Sequence, residues 1–308
     1  MSFARDYGRP GDALSRRLIG VTVAFVDAQR FSFDNHEGLP IRGDIHSPAS
    51  GGVPVIVCVH GFKGFKDWGF WPEVAGRLSA ASYGVVRFNF SHSGIGSDLE
   101  TFSETDLFET GTYTREVEDL REVLSRLTGG RLPGSEGLDV FRIGLLAHSR
   151  GGVSALGVAA SGEFPVRSVA LWNPVSSTMW WDEETGRRWR KTGSWEVVNA
   201  RTGQVFWMKT ALLEDAEENR DRLDPIANAG KLRVPLLSVV AAQDESVPPF
   251  AGRRLASAAG QFGSLREIAG TGHTFGAAHP FRGPTPALEE AIRVTCDHFD
   301  RTLAGAAA

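Results

Sequence analysis

Apolar residues along this 308-residue chain fall into two alternating patterns. The first is a short continuous apolar run, as at Val53–Gly61, Tyr83–Phe90, Val140–Ser149, Val166–Val175 and Val234–Ala242. Runs of that length read as strands buried on both faces, as in a parallel sheet. The second is an apolar stripe at helical spacing. It is clearest over Tyr113–Leu127, where Val117, Leu120, Val123, Leu124 and Leu127 share one face. Weaker helical patterns cover Glu73–Ala81, Gly151–Ala160, residues 251–259 and Pro286–Leu303. Ile19–Val26, Arg30–Asp34 and Leu39–His46 read as strands, the last two joined by a turn at Gly38, and Leu265–Gly270 as the final strand. The alternation predicts an α/β fold: one open, mostly parallel central sheet with helices on both faces.

Two segments depart from this rhythm. Residues 1–17 are polar and read as a loose lead-in to a single domain over 18–308. Residues 177–230 are far longer than a crossover needs and hold Trp180, Trp181, Trp189, Trp195 and Trp207, five of the eight tryptophans. This reads as a small helical cap inserted at the sheet's edge.

Composition narrows the function. Lys and Arg number 33 against 37 Asp and Glu, a net charge of −4, so the basic footprint of a nucleic-acid binder is missing. Cys58 and Cys296 are the two cysteines, which excludes a disulfide scaffold and cysteine-rich zinc sites. No apolar stretch reaches the roughly 18 residues of a membrane span. The first residues lack the apolar core of a secretory signal. A cytoplasmic protein with no membrane partner is expected. No phosphate-binding loop, dinucleotide fingerprint or His-Glu-x-x-His pair occurs, so neither metal nor organic cofactor is expected.

The stretch Ala147-His148-Ser149-Arg150-Gly151-Gly152 carries the chemistry. A buried strand meets serine, then two glycines and a helix of small residues. Small residues two positions either side of Ser149 allow a sharp turn that lifts Oγ off the sheet toward the positive end of the next helix. A serine nucleophile needs a base and an orienting acid. Asp244 follows the strand ending at Ala242, and His273 lies in a Gly-flanked loop after the last strand, so acid and base stand in the order Ser, Asp, His. Glu245, Asp182 and Glu183 remain rival acids and His279 a rival base, although His279, followed by Pro280 and Phe281, looks more like packing. The oxyanion donors are expected to be the backbone N–H groups of Arg150 and of Phe62, in the loop His60-Gly61-Phe62-Lys63-Gly64.

With these motifs, the chain from about Phe31 to Leu303 resembles the α/β-hydrolase superfamily. The insertion before Asp224-Pro225-Ile226 is similar to that of dienelactone-hydrolase-like and cinnamoyl/feruloyl-esterase-like enzymes. The resemblance implies a Ser-His-Asp carboxylic-ester hydrolase working through an acyl-enzyme. Two positions depart from the pattern: Ala147 stands where the elbow usually has Gly, and Asn89 where such esterases often have Asp. Ser149 in place of cysteine argues against dienelactone hydrolysis itself. A serine peptidase, an acyltransferase and a non-catalytic ligand receptor can be built on the same fold.

A small-molecule ester is the expected partner, with oligomeric state open. Trp68 and Trp71 follow the oxyanion loop. With Trp180, Trp181 and Trp207 above the serine, they would favour bulky or aromatic acyl groups. The competing reading gives the insertion's tryptophans to a small core of their own. Arg187, Arg188, Arg190 and Lys191 are candidates to hold a substrate carboxylate, against a reading as a solvated helix face.

Overall fold

The computed structural model describes residues 28–48 and 51–303. The lead-in at 1–17 and the strand expected over 19–26 lie outside the described residues. An antiparallel hairpin opens the fold, β1 (Gln29–Asp34) and β2 (Pro40–His46). Then follow β3 (Pro54–Val59), α1 (Trp71–Ala80), β4 (Gly84–Asn89), the short α2 (Thr105–Glu109), α3 (Tyr113–Thr128), β5 (Asp139–His148), α4 (Gly151–Ser161) and β6 (Val166–Trp172). The insertion holds α5 (Glu183–Thr192), β7 (Ser194–Val198), β8 (Val205–Lys209), α6 (Ala211–Glu218), α7 (Arg220–Leu223) and α8 (Pro225–Lys231). The chain closes with β9 (Leu236–Ala241), α9 (Phe250–Ala258), β10 (Gly263–Ile268) and α10 (Pro286–Leu303).

Eight strands form one sheet in the order β1-β2-β4-β3-β5-β6-β9-β10. From β4 to β10 every pairing is parallel; β2 runs antiparallel to β4 at the near edge. The central runs are apolar throughout because both faces are covered. Along β3, Val55, Val57 and Val59 pack into the core beneath α3 and α4, while Ile56 and Cys58 face the core beneath α1 and α10. β5 divides likewise, with Ile143, Leu145 and Ala147 on one side and Leu146 on the other. The chain reverses direction across the sheet at β3, with β4 on one side and β5 on the other. Such a switch point opens a crevice at the carboxyl ends of the strands.

The insertion differs from a purely helical cap. Its middle is an antiparallel hairpin, β7–β8, in a separate two-stranded sheet. Val205-Phe-Trp-Met-Lys209 alternates with period two, burying Phe206 and Met208 and exposing Val205, Trp207 and Lys209. That is strand chemistry. The turn is closed by Asn199 Oδ1, which accepts the Arg201 N–H at 3.1 Å, and by Gly203 at φ +73°.

Candidate active site

Ser149 sits between β5 and α4 at φ +55°, a left-handed conformation that a side-chain-bearing residue rarely adopts. Two close backbone approaches impose it. A methyl on Gly151 would stand 2.5 Å from the His60 carbonyl oxygen, and one on Gly61 would stand 2.9 Å from the His148 carbonyl oxygen. The elbow and the loop after β3 therefore fit only because each offers a glycine to the other. Ala147 is tolerated because its methyl points into the core beside β3 rather than into the turn.

The structure brings the three residues singled out above into one line. Ser149 Oγ lies 3.0 Å from His273 Nε2, and His273 Nδ1 lies 2.7 Å from Asp244 Oδ2. Asp244 Oδ1 accepts the N–H groups of Ser246 and Val247 at 2.8 and 2.9 Å. Burial alone would raise the Asp244 pKa; the His273 hydrogen bond and the two amides outweigh it and hold the carboxyl below its ordinary value. The rivals lie elsewhere. Glu245 is exposed. Asp182 caps α5 by accepting from Thr185 N, and Glu183 pairs with Arg187. His279 Nδ1 accepts the Gly69 N–H at 3.0 Å.

Residues around His273 fix its position. His148 Nε2 donates to the His273 carbonyl at 2.9 Å, and Asn173 Nδ2 donates to the same oxygen at 2.8 Å. Burial first, and then the neighbouring His273, push the His148 pKa down to about 3, so the ring is neutral. Asn173 Oδ1 also accepts Ala241 N–H, tying the end of β6 to the end of β9. Asn173, at φ +45°, was missed by sequence reasoning; its position just past a buried strand and before Pro174 is the signal the sequence holds.

The loop after β3 approaches the Arg150 amide at Gly61, the residue before Phe62: a methyl on Gly61 would lie 3.5 Å from Arg150 N. Among the described residues neither the Phe62 nor the Arg150 amide donates to a protein acceptor. The loop is held by buried polar contacts. His60 Nδ1 donates to Gly61 O at 2.9 Å, and its Nε2 accepts Phe90 N–H at 3.3 Å. Asn89 Oδ1 accepts Lys66 N–H at 2.7 Å, an acceptor role that Asp or Asn fills equally. Lys66 and Arg87 converge on the buried Asp44.

The Arg150 side chain makes a second link that sequence reasoning missed. Its guanidinium pairs with the partly buried Glu116 on α3 at 3.0 Å and stacks over the rings of Tyr113 and Phe62, 4.2 and 5.2 Å from their centroids. Burial raises the Glu116 carboxyl to about 6 against the opposing pull of Arg150. The signal was an acid bordering the apolar stripe of α3.

A cavity of about 380 Å³ is lined by His273, by His148 beside Ser149 and by the loop Gly61–Gly64, with Trp68 and Trp71 in its wall. Trp180, Trp181 and Trp207 do not line it, contrary to the expectation from sequence. Trp181 and Trp189 turn into the insertion's own core, where Trp189 is fully buried and donates Nε1–H to Met208 O at 2.9 Å. Trp180 packs on Trp181, Trp189 and Trp195, and Trp180 and Trp207 remain 54% and 46% exposed. The basic cluster on α5 lies away from the cavity: Arg187 pairs with Glu183, Arg190 with Glu217, Arg188 lies over Trp195, and Lys191 is exposed. The cavity wall takes its insertion residues from the hairpin tip instead, Asn199, Ala200 and Arg201. Among the described residues no cluster of three or more His, Cys, Asp or Glu could hold a metal ion, and no helix is long and apolar enough to cross a membrane.

Residues 56–283 match the alpha/beta hydrolase family, and the chain belongs to that family. No curated protein sequence matches it. Solved structures share the fold at low identity. Est1E from Butyrivibrio proteoclasticus, in a complex with ferulic acid, is 18% identical with a TM-score of 0.66, covering 89% of this chain and 100% of that one. The esterase domain of a Rhodothermus marinus protein is 19% identical with a TM-score of 0.60, covering 90% and 100%. The acylaminoacyl peptidase of Pyrococcus horikoshii is 18% identical with a TM-score of 0.62, covering 91% of this chain but 42% of the peptidase.

Proposed function

We propose that the chain is a serine hydrolase that cleaves carboxylic esters through an acyl-enzyme. The observation that carries this reading is the hydrogen-bonded line Ser149–His273–Asp244, with distances of 3.0 and 2.7 Å, at a left-handed serine. His273 Nε2 takes the Ser149 proton as Oγ attacks the ester carbonyl. Asp244 keeps the proton of the resting imidazole on Nδ1 and stabilises the imidazolium that forms. The Phe62 and Arg150 amides receive the developing oxyanion; one such donor supplies roughly 3–4 kcal/mol of transition-state stabilisation. The protonated His273 then gives its proton to the departing alcohol. Water enters, is deprotonated by His273, and releases the acid from Ser149.

Residues 177–230 serve as a cap on this site, reaching it through the hairpin tip. Trp68 and Trp71 and the size of the cavity favour bulky or aromatic acyl groups over acetyl. The test is hydrolysis of p-nitrophenyl acetate, butyrate and octanoate and of methyl ferulate by the wild type and by Ser149→Ala. Turnover that vanishes in the variant, rising from acetate to the larger acyl groups, is the expected result. A folded wild type that turns over none of these esters but cleaves short peptides would replace the esterase reading with a peptidase.

A further inference from the structure

The polar groups around the cavity are unbalanced in sign. Its lining includes two cationic side chains, Lys63 and Arg201, and three imidazoles, yet no aspartate or glutamate. Arg201 stands at the tip between β7 and β8, placed there by the turn that Asn199 closes. Among the described residues its guanidinium makes neither an ion pair nor a side-chain hydrogen bond. His279 stands beside it, since both also line a neighbouring cleft of about 330 Å³. Because His279 Nδ1 accepts the Gly69 N–H, the proton of the neutral ring is on Nε2, a donor without an acceptor among the described residues. Burial and the nearby Arg201 charge push the His279 pKa down, which keeps the ring neutral. Lys63 Nζ gives one hydrogen bond, to Val198 O at 3.2 Å, and retains others to give.

Two carboxylates act on His279 from outside the cavity. Asp67 is engaged by Lys66 and Arg87, and Glu100 lines the neighbouring cleft rather than the cavity. The rim therefore offers donors and positive charge and no carboxylate. A guanidinium is planar, and its paired N–H groups match the two oxygens of a carboxylate.

Resting on the ester-hydrolase reading, we infer that the cavity takes esters bearing a carboxylate remote from the scissile bond, with Arg201 as its counter-ion and His279 Nε2–H as a second donor. Arg201 is then a specificity-determining residue on the insertion.

The test compares matched pairs of esters in the wild type, Arg201→Gln and Arg201→Lys. Mono-p-nitrophenyl adipate against p-nitrophenyl hexanoate places the charge on the acyl side. 4-Carboxyphenyl butyrate against phenyl butyrate places it on the alcohol side. The expected result is a charged-to-neutral ratio of kcat/KM that falls about tenfold in Arg201→Gln for at least one pair, the size of one lost charge-assisted hydrogen bond, and less in Arg201→Lys. A ratio unchanged in both pairs would overturn the inference and leave Arg201 a solvated turn residue or a partner of Glu100. Direct binding of the same esters to Ser149→Ala and to Ser149→Ala/Arg201→Gln reads the subsite without turnover. Loss of affinity for a charged ester, but not its neutral analogue, supports the subsite even if the wild type hydrolyses nothing. Equal affinities in the two proteins reject it.

Discussion

The carboxyl edge of the sheet and the insertion over it are held in opposite ways. At the edge the groups that position Ser149, His273 and Asp244 have fixed partners inside the protein, and among the described residues the Phe62 and Arg150 amides do not. The His273 carbonyl receives two donors, Asp244 receives three, and the loop after β3 is tied by His60, Asn89 and Lys66. The hairpin β7–β8 is tied at its base. Trp207 N donates to Glu109 on α2, and Phe206 packs on Phe108. Near its tip it is linked to the body by two long side chains, Lys63 to Val198 O and Gln204 to Phe102 O. Chemistry needs reacting atoms held within fractions of an ångström, whereas choice among substrates tolerates a looser wall. On the proposed reading the two tasks fall to regions built accordingly.

The strongest way to break this comparison is at the edge. Asp244→Asn keeps the size of the side chain but removes the charge that holds the His273 tautomer. The kcat for p-nitrophenyl butyrate should fall about 10³–10⁴-fold with the protein still folded; a fall under tenfold would remove Asp244 from the line. Next in size is the link beneath the Phe62 and Arg150 amides. Arg150→Met leaves the partly buried Glu116 without its cation, which should cost up to about 3–5 kcal/mol in urea unfolding. Arg150→Met/Glu116→Leu should recover most of that stability but not kcat, because Phe62 loses the guanidinium it stacks on. Recovery of both would reduce the pair to a structural filler.

A gentler probe is pH. Burial depresses His60 to about 4 and His148 to about 3, against 6.5 for a free imidazole. Below pH 6.5 the unfolded chain takes up protons that these folded rings refuse. Their contribution to stability is therefore complete above pH 6.5 and is lost as pH falls toward 4, by up to about 1.4 kcal/mol per pH unit for each proton. Imidazole NMR shifts should show both rings neutral at pH 5; titration near 6.5 would contradict the buried, pinned edge. The smallest effect belongs to the insertion's outer face. Trp207→Thr should change stability by under about 0.5 kcal/mol and ester turnover by less than twofold, because its ring faces solvent and its structural bond is made by the backbone. A large loss of activity would return Trp207 to the substrate site.

Much of the edge was legible in the chain because each of its residues closes a buried apolar run. Ser149 follows β5, Asp244 follows β9 and His273 follows β10, so pattern and position coincide. What was not legible depends on contacts distant in sequence. Asn173 joins β6 to β9, and Glu116 reaches Arg150 from another helix. In the insertion, bulk left two readings open, a pocket wall and a small core, and the structure puts Trp181 and Trp189 in the core. Its tryptophans attracted a substrate role because large aromatic side chains suit both a pocket and a small core. The alternation of Val205–Lys209, which makes the hairpin and so delivers Arg201 to the cavity, was the quieter and better signal.

The central claim is that Ser149 is a nucleophile activated by His273. It is tested most directly by trapping with diethyl p-nitrophenyl phosphate at neutral pH, followed by peptide mass spectrometry. The account predicts one diethylphosphoryl group on the peptide containing Ser149, absent in Ser149→Ala and strongly slowed in His273→Ala. A folded wild type that acquires no adduct, or one modified at another residue at the same rate in all three proteins, would contradict it.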